Sequence, residues 1–88
     1  MKTMALGVVM ALASVCMAAP KETILVAADP FAVGLKSAVV RHLEARGFAV
    51  KDYGATAAQK EKPYFESAVD VCRALQRGEG RRAFLFCG

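Results

Sequence analysis

Residues 23–30 read TILVAADP. The first six residues are apolar or β-branched without interruption, which is typical of a parallel strand buried on both faces. Asp29 and Pro30 end the run, because proline has no N–H group to donate to the ladder of a central strand. The stretch therefore predicts the central strand of an α/β sheet.

A helix is predicted over residues 31–46, directly after this strand. Apolar residues recur there at helical spacing, and the predicted inner face consists of Leu35, Ala38, Val39 and Leu43. Gly47 is expected to end the helix in a left-handed conformation. Lys36 is predicted to be a solvated charge on this helix and not a phosphate ligand.

The remainder of the chain predicts a strand, a helix and a strand. Residues 48–53 and 83–87 are the two strands, and the helix begins near Pro63 and ends at Gly78. The predicted inner face of this second helix consists of Ala68, Val71, Cys72 and Leu75.

Strands that alternate with helices pair in parallel through right-handed crossovers. The expected fold is α/β, a three-layer α/β/α Rossmann-like parallel sheet of order β-α-β-α-β, with the first strand between the other two. Ligands of such sheets bind where the winding direction switches, at the carboxyl ends of the strands. Asp29 and Cys87 are both predicted to lie on the rim of that crevice.

The N-terminal residues have the composition of a secretory leader. Lys2 and Thr3 are followed by sixteen residues without a charge, MALGVVMALASVCMAA. This run is too short for a comfortable membrane span, which needs about 20 apolar residues. Residues 1–18 are predicted to be a leader cleaved after Ala18, which leaves 19–88 as the folded domain. We expect the secretory route, secreted or periplasmic/lumenal, without membrane attachment after cleavage. An uncleaved anchor remains open, as does a cytoplasmic protein if the leader is an artefact.

The charge of the chain favours no nucleic-acid partner. Its formal net charge is +4, and Lys2 is the one charged residue in the predicted leader. Apart from Arg81 and Arg82, the basic residues are scattered and are not interleaved with aromatic residues as on a nucleic-acid surface. The charges are therefore interpreted as a solvated surface.

Two residue positions are candidates for chemistry, and each has two interpretations. Cys87, followed by Gly88, stands where exposed N–H groups favour a thiolate that acts as a base or nucleophile; it also fits as a small residue that ends a strand. Asp29 suits a sugar hydroxyl, a metal or a phosphoryl group, yet Asp-Pro is also a common turn opener. No disulfide between Cys72 and Cys87 is expected, and no Cys/His cluster has metal-ligand spacing.

Taken in order, these segments resemble the family that contains ribose-5-phosphate isomerase B and the galactose-6-phosphate isomerase subunits. The similarity runs over residues 23–88 and is carried by the stretch DPFAVGLK from Asp29, the turn Gly78-Glu79 and the closing FCG. The resemblance implies an aldose–ketose isomerase of sugar phosphates, of the ribose 5-phosphate to ribulose 5-phosphate type in the pentose phosphate pathway, which works through an enediolate without metal or organic cofactor.

The resemblance also assigns roles to residues. It makes Cys87 the base that moves the proton, and it implies that Asp29, Tyr64 and Gly88 contribute to substrate binding. The partners that it implies are a phosphorylated sugar and, in a full-length protein, a second copy in a homodimer. Members of the family continue beyond Cys-Gly into a glycine-rich loop that binds the anion, so the chain is expected to be the N-terminal half of the domain and to be inactive by itself.

The chain departs from the family pattern in two further ways, and other functions remain open. Pro30 stands where many members have histidine. A branch of the family shares this difference, and the substrate of that branch is less firmly established. A secretory leader is also unusual, because the family is mostly cytosolic. The alternatives are a non-catalytic, exported α/β binding module of the same fold and a flavodoxin-like signalling domain with Asp29 as phosphoacceptor.

Overall fold

The computed structural model of the protein describes residues 19–88. The predicted leader, residues 1–18, lies outside the described residues. Within the described part, no helix is both long and apolar enough to cross a membrane.

The sheet has three parallel strands, β1 (Thr23–Ala28), β2 (Ala49–Asp52) and β3 (Arg82–Phe86). Their order is β2-β1-β3, which confirms the prediction that the first strand is central. β1 pairs with β2 over Thr23–Val26 and with β3 over Ile24–Ala28, and such a central position suits its uninterrupted apolar composition.

Two helices connect the strands. A short 3₁₀ turn (Pro30–Ala32) leads into α1 (Val33–Ala45), and α2 (Tyr64–Gln76) follows β2. Gly47 follows α1 with φ of 92°, a conformation that side chains disfavour, so this glycine ends the helix as predicted. The element order confirms the predicted Rossmann-like α/β class.

The core is built around β1. Every residue from Ile24 to Ala28 is at most 2% exposed. Leu25 and Ala27 pack with Val71 and Ala74 of α2. Because successive side chains of a strand point to opposite faces, the alternate residues of β1 face the other side of the sheet, which α1 covers.

The predicted inner face of α1 is wrong at two positions. Leu35 is 59% exposed and Ala38 is also exposed, whereas Lys36, predicted to be solvated, is only 2% exposed. Val39 and Leu43 are half-buried. The helix is rotated about its axis relative to the prediction because the ammonium of Lys36 has two polar partners at the edge of the sheet.

The predicted inner face of α2 is correct at Val71 and wrong at Cys72, which is exposed. The fully buried residues of α2 are Ser67, Val71 and Ala74, spaced by four and three. Ser67 and Ala74 have small side chains, and a pattern based on large apolar residues overlooks them.

A polar cluster around Glu79 joins β2 to the turn between α2 and β3. The Glu79 carboxylate accepts hydrogen bonds from the hydroxyl of Tyr53, from Arg77 Nε at 2.6 Å and from Lys51 Nζ at 3.2 Å. These donors lower the pKa of Glu79 to about 2, and the bond from Tyr53 has the largest effect. The same bond raises the pKa of the Tyr53 phenol.

Replacing Leu25 with alanine is expected to destabilise the domain by about 2–5 kcal/mol, because the side chain is fully buried beside α2. A domain of this size has a small free energy of unfolding, so this loss can abolish the cooperative unfolding transition. Urea denaturation followed by circular dichroism measures the effect. The matched control is Leu35→Ala, which is expected to change stability by less than about 0.5 kcal/mol at its exposed site. Equal losses in the two variants would contradict the described orientation of α1.

Replacing Glu79 with glutamine is expected to lower the melting temperature at pH 7. A carboxyl with a depressed folded-state pKa stabilises the fold above its unfolded value of 4.5 and loses this contribution as the pH falls toward 2. The difference in melting temperature between the two proteins should therefore shrink as the pH drops below about 4.5. The exposed loop variant Glu61→Gln serves as the control, and a difference that grows toward acid pH would refute the assignment.

Candidate functional site

Asp29 follows the last residue of β1 and is tied to the protein on both sides. Its N–H donates to Phe86 O at 3.0 Å, which extends the pairing of β1 with β3 by one residue. Its Oδ1 accepts a hydrogen bond from Ala32 N at 2.9 Å and caps the 3₁₀ turn. With 8% exposure, Asp29 is a buried carboxylate that is held in one orientation.

Cys87 and Gly88 meet this carboxylate from the end of β3. The N–H of Gly88 donates to Oδ1 and Oδ2 of Asp29 at 3.1 and 3.0 Å. The thiol of Cys87 donates to Oδ2 across 3.6 Å. The structure thus brings Asp29, Cys87 and Gly88 together, and we call these three residues the Asp29 cluster.

The cluster follows directly from the strand pairing. Ala28 of β1 is in register with Phe86 of β3, so the next residue of each strand emerges at the same edge of the sheet. Gly88 also has to be a glycine for steric reasons. A Cβ atom at this position would lie 2.6 Å from Phe31 Cβ and 3.0 Å from the backbone carbon of Phe31.

The Asp29 carboxylate has donors for its buried oxygens, as a buried charge requires. Two backbone N–H groups and one thiol supply them. Cys87, in contrast, is exposed and forms no disulfide within residues 19–88, so the thiol is open to a molecule arriving from solvent. The arrangement places a group that can accept a proton next to a fixed carboxylate.

Tyr64 is the first residue of α2 and is half-buried. Within residues 19–88, no hydrogen bond joins Tyr64 to the Asp29 cluster. Its role in substrate binding stays a prediction, as do the roles of the three residues in the cluster.

An open concavity elsewhere on the surface is lined by residues 58–62 together with Glu66 and Asp70. None of these residues belongs to the Asp29 cluster. The concavity contains no free thiol, so the proton-transfer chemistry considered for Cys87 has no counterpart there.

One set of residues near the cluster was missed by the sequence interpretation. Lys36 donates to Asp52 Oδ1 at 2.6 Å and to Ala55 O at 2.5 Å. The available signal was a lysine in the first turn of a helix at helical spacing from Val40 and Leu43, which places its charge beside apolar side chains. Its partners are 16 and 19 residues away along the chain, and only the folded sheet brings them close.

The chain is similar in sequence to known proteins over most of its length. Residues 24–88, which include the whole Asp29 cluster, match the sequence profile of the Ribose/Galactose Isomerase family. The chain is also similar to a curated protein, 4-deoxy-4-sulfo-D-erythrose isomerase of Clostridium sp. (strain MSTE9), with 35% identity over 65 residues. That alignment covers 74% of this chain and 41% of the relative, so the chain spans less than half the length of that protein. No solved structure gives a significant match.

Replacing Asp29 with alanine is expected to raise the rate at which iodoacetamide alkylates Cys87 by about threefold or more, because the thiol proton is then no longer held by a carboxylate. Peptide-resolved mass spectrometry gives the rate at Cys87 relative to exposed Cys72 in the same molecule. The control is Asp70→Ala, which removes an aspartate of α2 that pairs with Lys62. It should leave this ratio unchanged. An unchanged ratio in the Asp29 variant would show that the contact is absent in solution.

Proposed function

The chain belongs to the ribose/galactose isomerase family, and from this premise we propose that it supplies the proton-transfer site of an aldose–ketose isomerase. The reaction that we propose is of the ribose 5-phosphate to ribulose 5-phosphate type. The observation that carries the proposal is the contact between the thiol of Cys87 and the buried carboxylate of Asp29, 3.6 Å apart at the carboxyl edge of the sheet.

The proposed reaction moves one proton between neighbouring carbons of an open-chain sugar. Cys87, as the thiolate, takes the proton from C2 of the aldose, and the electron pair of that C–H bond forms the C1=C2 bond of an enediolate. The π pair of the C1=O bond moves to the oxygen on C1 at the same time. The thiol then returns its proton to C1, the hydroxyl proton on the C2 oxygen is transferred to the C1 oxygen, and the C2 oxygen becomes the ketose carbonyl. No atom or electron is gained or lost overall, so the step needs no oxidant or reductant.

The geometry supports this role for Cys87 in two respects. The thiol is exposed at the edge where parallel α/β sheets bind their ligands, so a sugar can reach it. It is also fixed in place, because the strand that precedes it pairs with the buried strand β1. A base that removes a carbon-bound proton must lie within hydrogen-bond reach of that proton, and a rigid strand end provides such a position.

We propose that Asp29 and Gly88 orient the sugar. Asp29 accepts from Cys87 in the free protein, and a sugar hydroxyl that takes over this interaction releases the sulfur to act as the base. Gly88 adds no side chain beside Phe31, and this leaves its backbone accessible at the edge of the sheet. Tyr64 is a further candidate for substrate contact on the strength of the family resemblance.

The substrate class that we propose is a short sugar with an anionic group far from its carbonyl. The Clostridium relative is named for a four-carbon sugar that carries a sulfonate, whereas the family description refers to ribose and galactose. Phosphate and sulfonate are both tetrahedral anions that lie away from the carbonyl group. The same proton-transfer site can therefore act on sugars that carry either group. Ribose 5-phosphate and 4-deoxy-4-sulfo-D-erythrose are therefore the two substrates to test.

Replacing Cys87 with serine is expected to lower kcat/KM for isomerisation by about 100-fold or more, since general-base groups contribute about 10²–10⁴-fold to rate. The assay uses the protein in the form in which its gene expresses it. Proton NMR in deuterated water follows both turnover and exchange of the proton on C2 of the sugar, and exchange reports proton transfer even when product does not accumulate.

The matched control is Cys72→Ser, which makes the same change at an exposed cysteine of α2 and should leave the rate unchanged. Asp29→Asn is expected to raise KM as well as to lower kcat, because it alters an orienting group. Full exchange activity in Cys87→Ser would overturn the role of the cysteine. Binding of either sugar without any proton exchange in the unaltered protein would instead favour a non-catalytic binding module.

A further inference from the structure

Lys36 is the least expected residue of the core. It lies on α1 with 2% of its side chain exposed, although a lysine is almost never fully buried unless its charge is paired. Its ammonium has two partners, Asp52 Oδ1 at 2.6 Å and Ala55 O at 2.5 Å. Removing a charge from water is costly, and both contacts are needed to offset that cost.

Asp52 is the last residue of β2 and Ala55 lies three residues further on, and the backbone of this stretch is bonded to the end of β1. Ala28 N donates to Gly54 O at 2.5 Å, and Ala55 N donates to Ala28 O at 2.6 Å. The Asp52 carboxylate oxygen that binds Lys36 also accepts from Gly54 N at 2.8 Å. Lys36 thus binds a turn, residues 52–55, whose backbone is attached to both polar groups of Ala28.

Gly54 shows that this turn has a demanding geometry. Its φ is 92°, a left-handed backbone conformation that residues with a side chain rarely adopt. The ammonium of Lys36 supplies this turn with two contacts from outside it, one to a side chain and one to a backbone carbonyl.

The residue after Ala28 is Asp29, the carboxylate of the candidate site. The peptide unit between them is held on one side by the turn at residues 52–55 and on the other by the bond from Asp29 N to Phe86 O at 3.0 Å. Any shift of the turn therefore moves the backbone that carries Asp29 relative to Cys87.

We propose that Lys36 is a positioning residue: its buried ammonium holds the turn at residues 52–55 against the end of β1 and thereby sets the distance between Asp29 and Cys87. The inference rests on the proposed function for its chemical meaning. Lys36 does not touch the substrate in this role, since its ammonium is buried and directed at Asp52 and Ala55.

Replacing Lys36 with methionine, which keeps the length and apolar stem of the side chain, tests the proposal. The readout is the rate of iodoacetamide alkylation at Cys87 relative to Cys72, measured by peptide-resolved mass spectrometry where circular dichroism shows a folded protein. Asp29→Ala calibrates the scale, because it removes the carboxylate altogether. We expect Lys36→Met to reproduce at least half of the change that Asp29→Ala causes, on a logarithmic scale.

The matched control is Lys51→Met, which removes another ammonium that pairs with a carboxylate but lies exposed on β2 beside Glu79. It is expected to lower the stability of the domain without changing the labelling ratio. The comparison therefore separates a general loss of stability from a change in the position of Asp29 relative to Cys87. Lys36→Arg retains the charge and should restore part of the original ratio. A ratio in Lys36→Met equal to that of the unaltered protein would overturn the proposal.

A second measurement covers the case in which Lys36→Met does not fold. Hydrogen exchange in the unaltered protein should show the amide of Ala55 as strongly protected as the core amides of β1, and far more than that of Ala57 in the neighbouring loop. Rapid exchange at the amide of Ala55 would refute the proposal that the turn at residues 52–55 is held against the end of β1. Neither experiment requires turnover, so a failure of the isomerase assay leaves this inference standing, and a failure here leaves the isomerase assay unaffected.

Discussion

The structure depends on the pairing of β1 with both of its neighbours. Every strand pair of the described sheet includes β1, and its residues from Ile24 to Ala28 are almost completely excluded from water. This double pairing does more than stabilise the sheet. It aligns Ala28 with Phe86, so that the residues that follow each strand meet at one edge, where the carboxylate of Asp29 binds Gly88 and Cys87. The site is thus a direct continuation of the hydrogen-bond ladder.

Two buried charges of opposite sign stand near that edge, and they are satisfied by different means. Asp29 accepts hydrogen bonds from an N–H group of the 3₁₀ turn and from an N–H group and a thiol that follow β3. Lys36 donates to the carboxylate of the last residue of β2 and to a backbone carbonyl three residues further on. The end of β1 is therefore connected to all the other strands by polar contacts as well as by the ladder. Such a hydrogen-bonded network favours one arrangement of the residues that would contact a substrate.

The sequence predicted the parts of the fold that local composition determines. The bounds of β1, the strand order and the glycine after α1 all follow from apolar runs, alternation and turn chemistry, and the structure agrees with them. The meeting of Asp29 with Cys87 was also predictable, because it needs only the strand order. The burial of Lys36 was not, since its partners are distant in sequence and a lysine is ordinarily placed in solvent. Leu35 and Cys72 were misplaced because spacing gives the period of a helix more reliably than its rotation.

The close contact between Gly88 and Phe31 has a consequence for how this position can change over time. Any single-nucleotide substitution in a glycine codon that alters the residue introduces a side chain, and here even the first atom of that side chain meets the backbone of Phe31. A single conservative substitution at Gly88 is therefore disfavoured by the contact with Phe31. Replacement of the glycine would require a simultaneous change in the 3₁₀ turn. Two segments that lie more than fifty residues apart in the sequence would therefore have to change together.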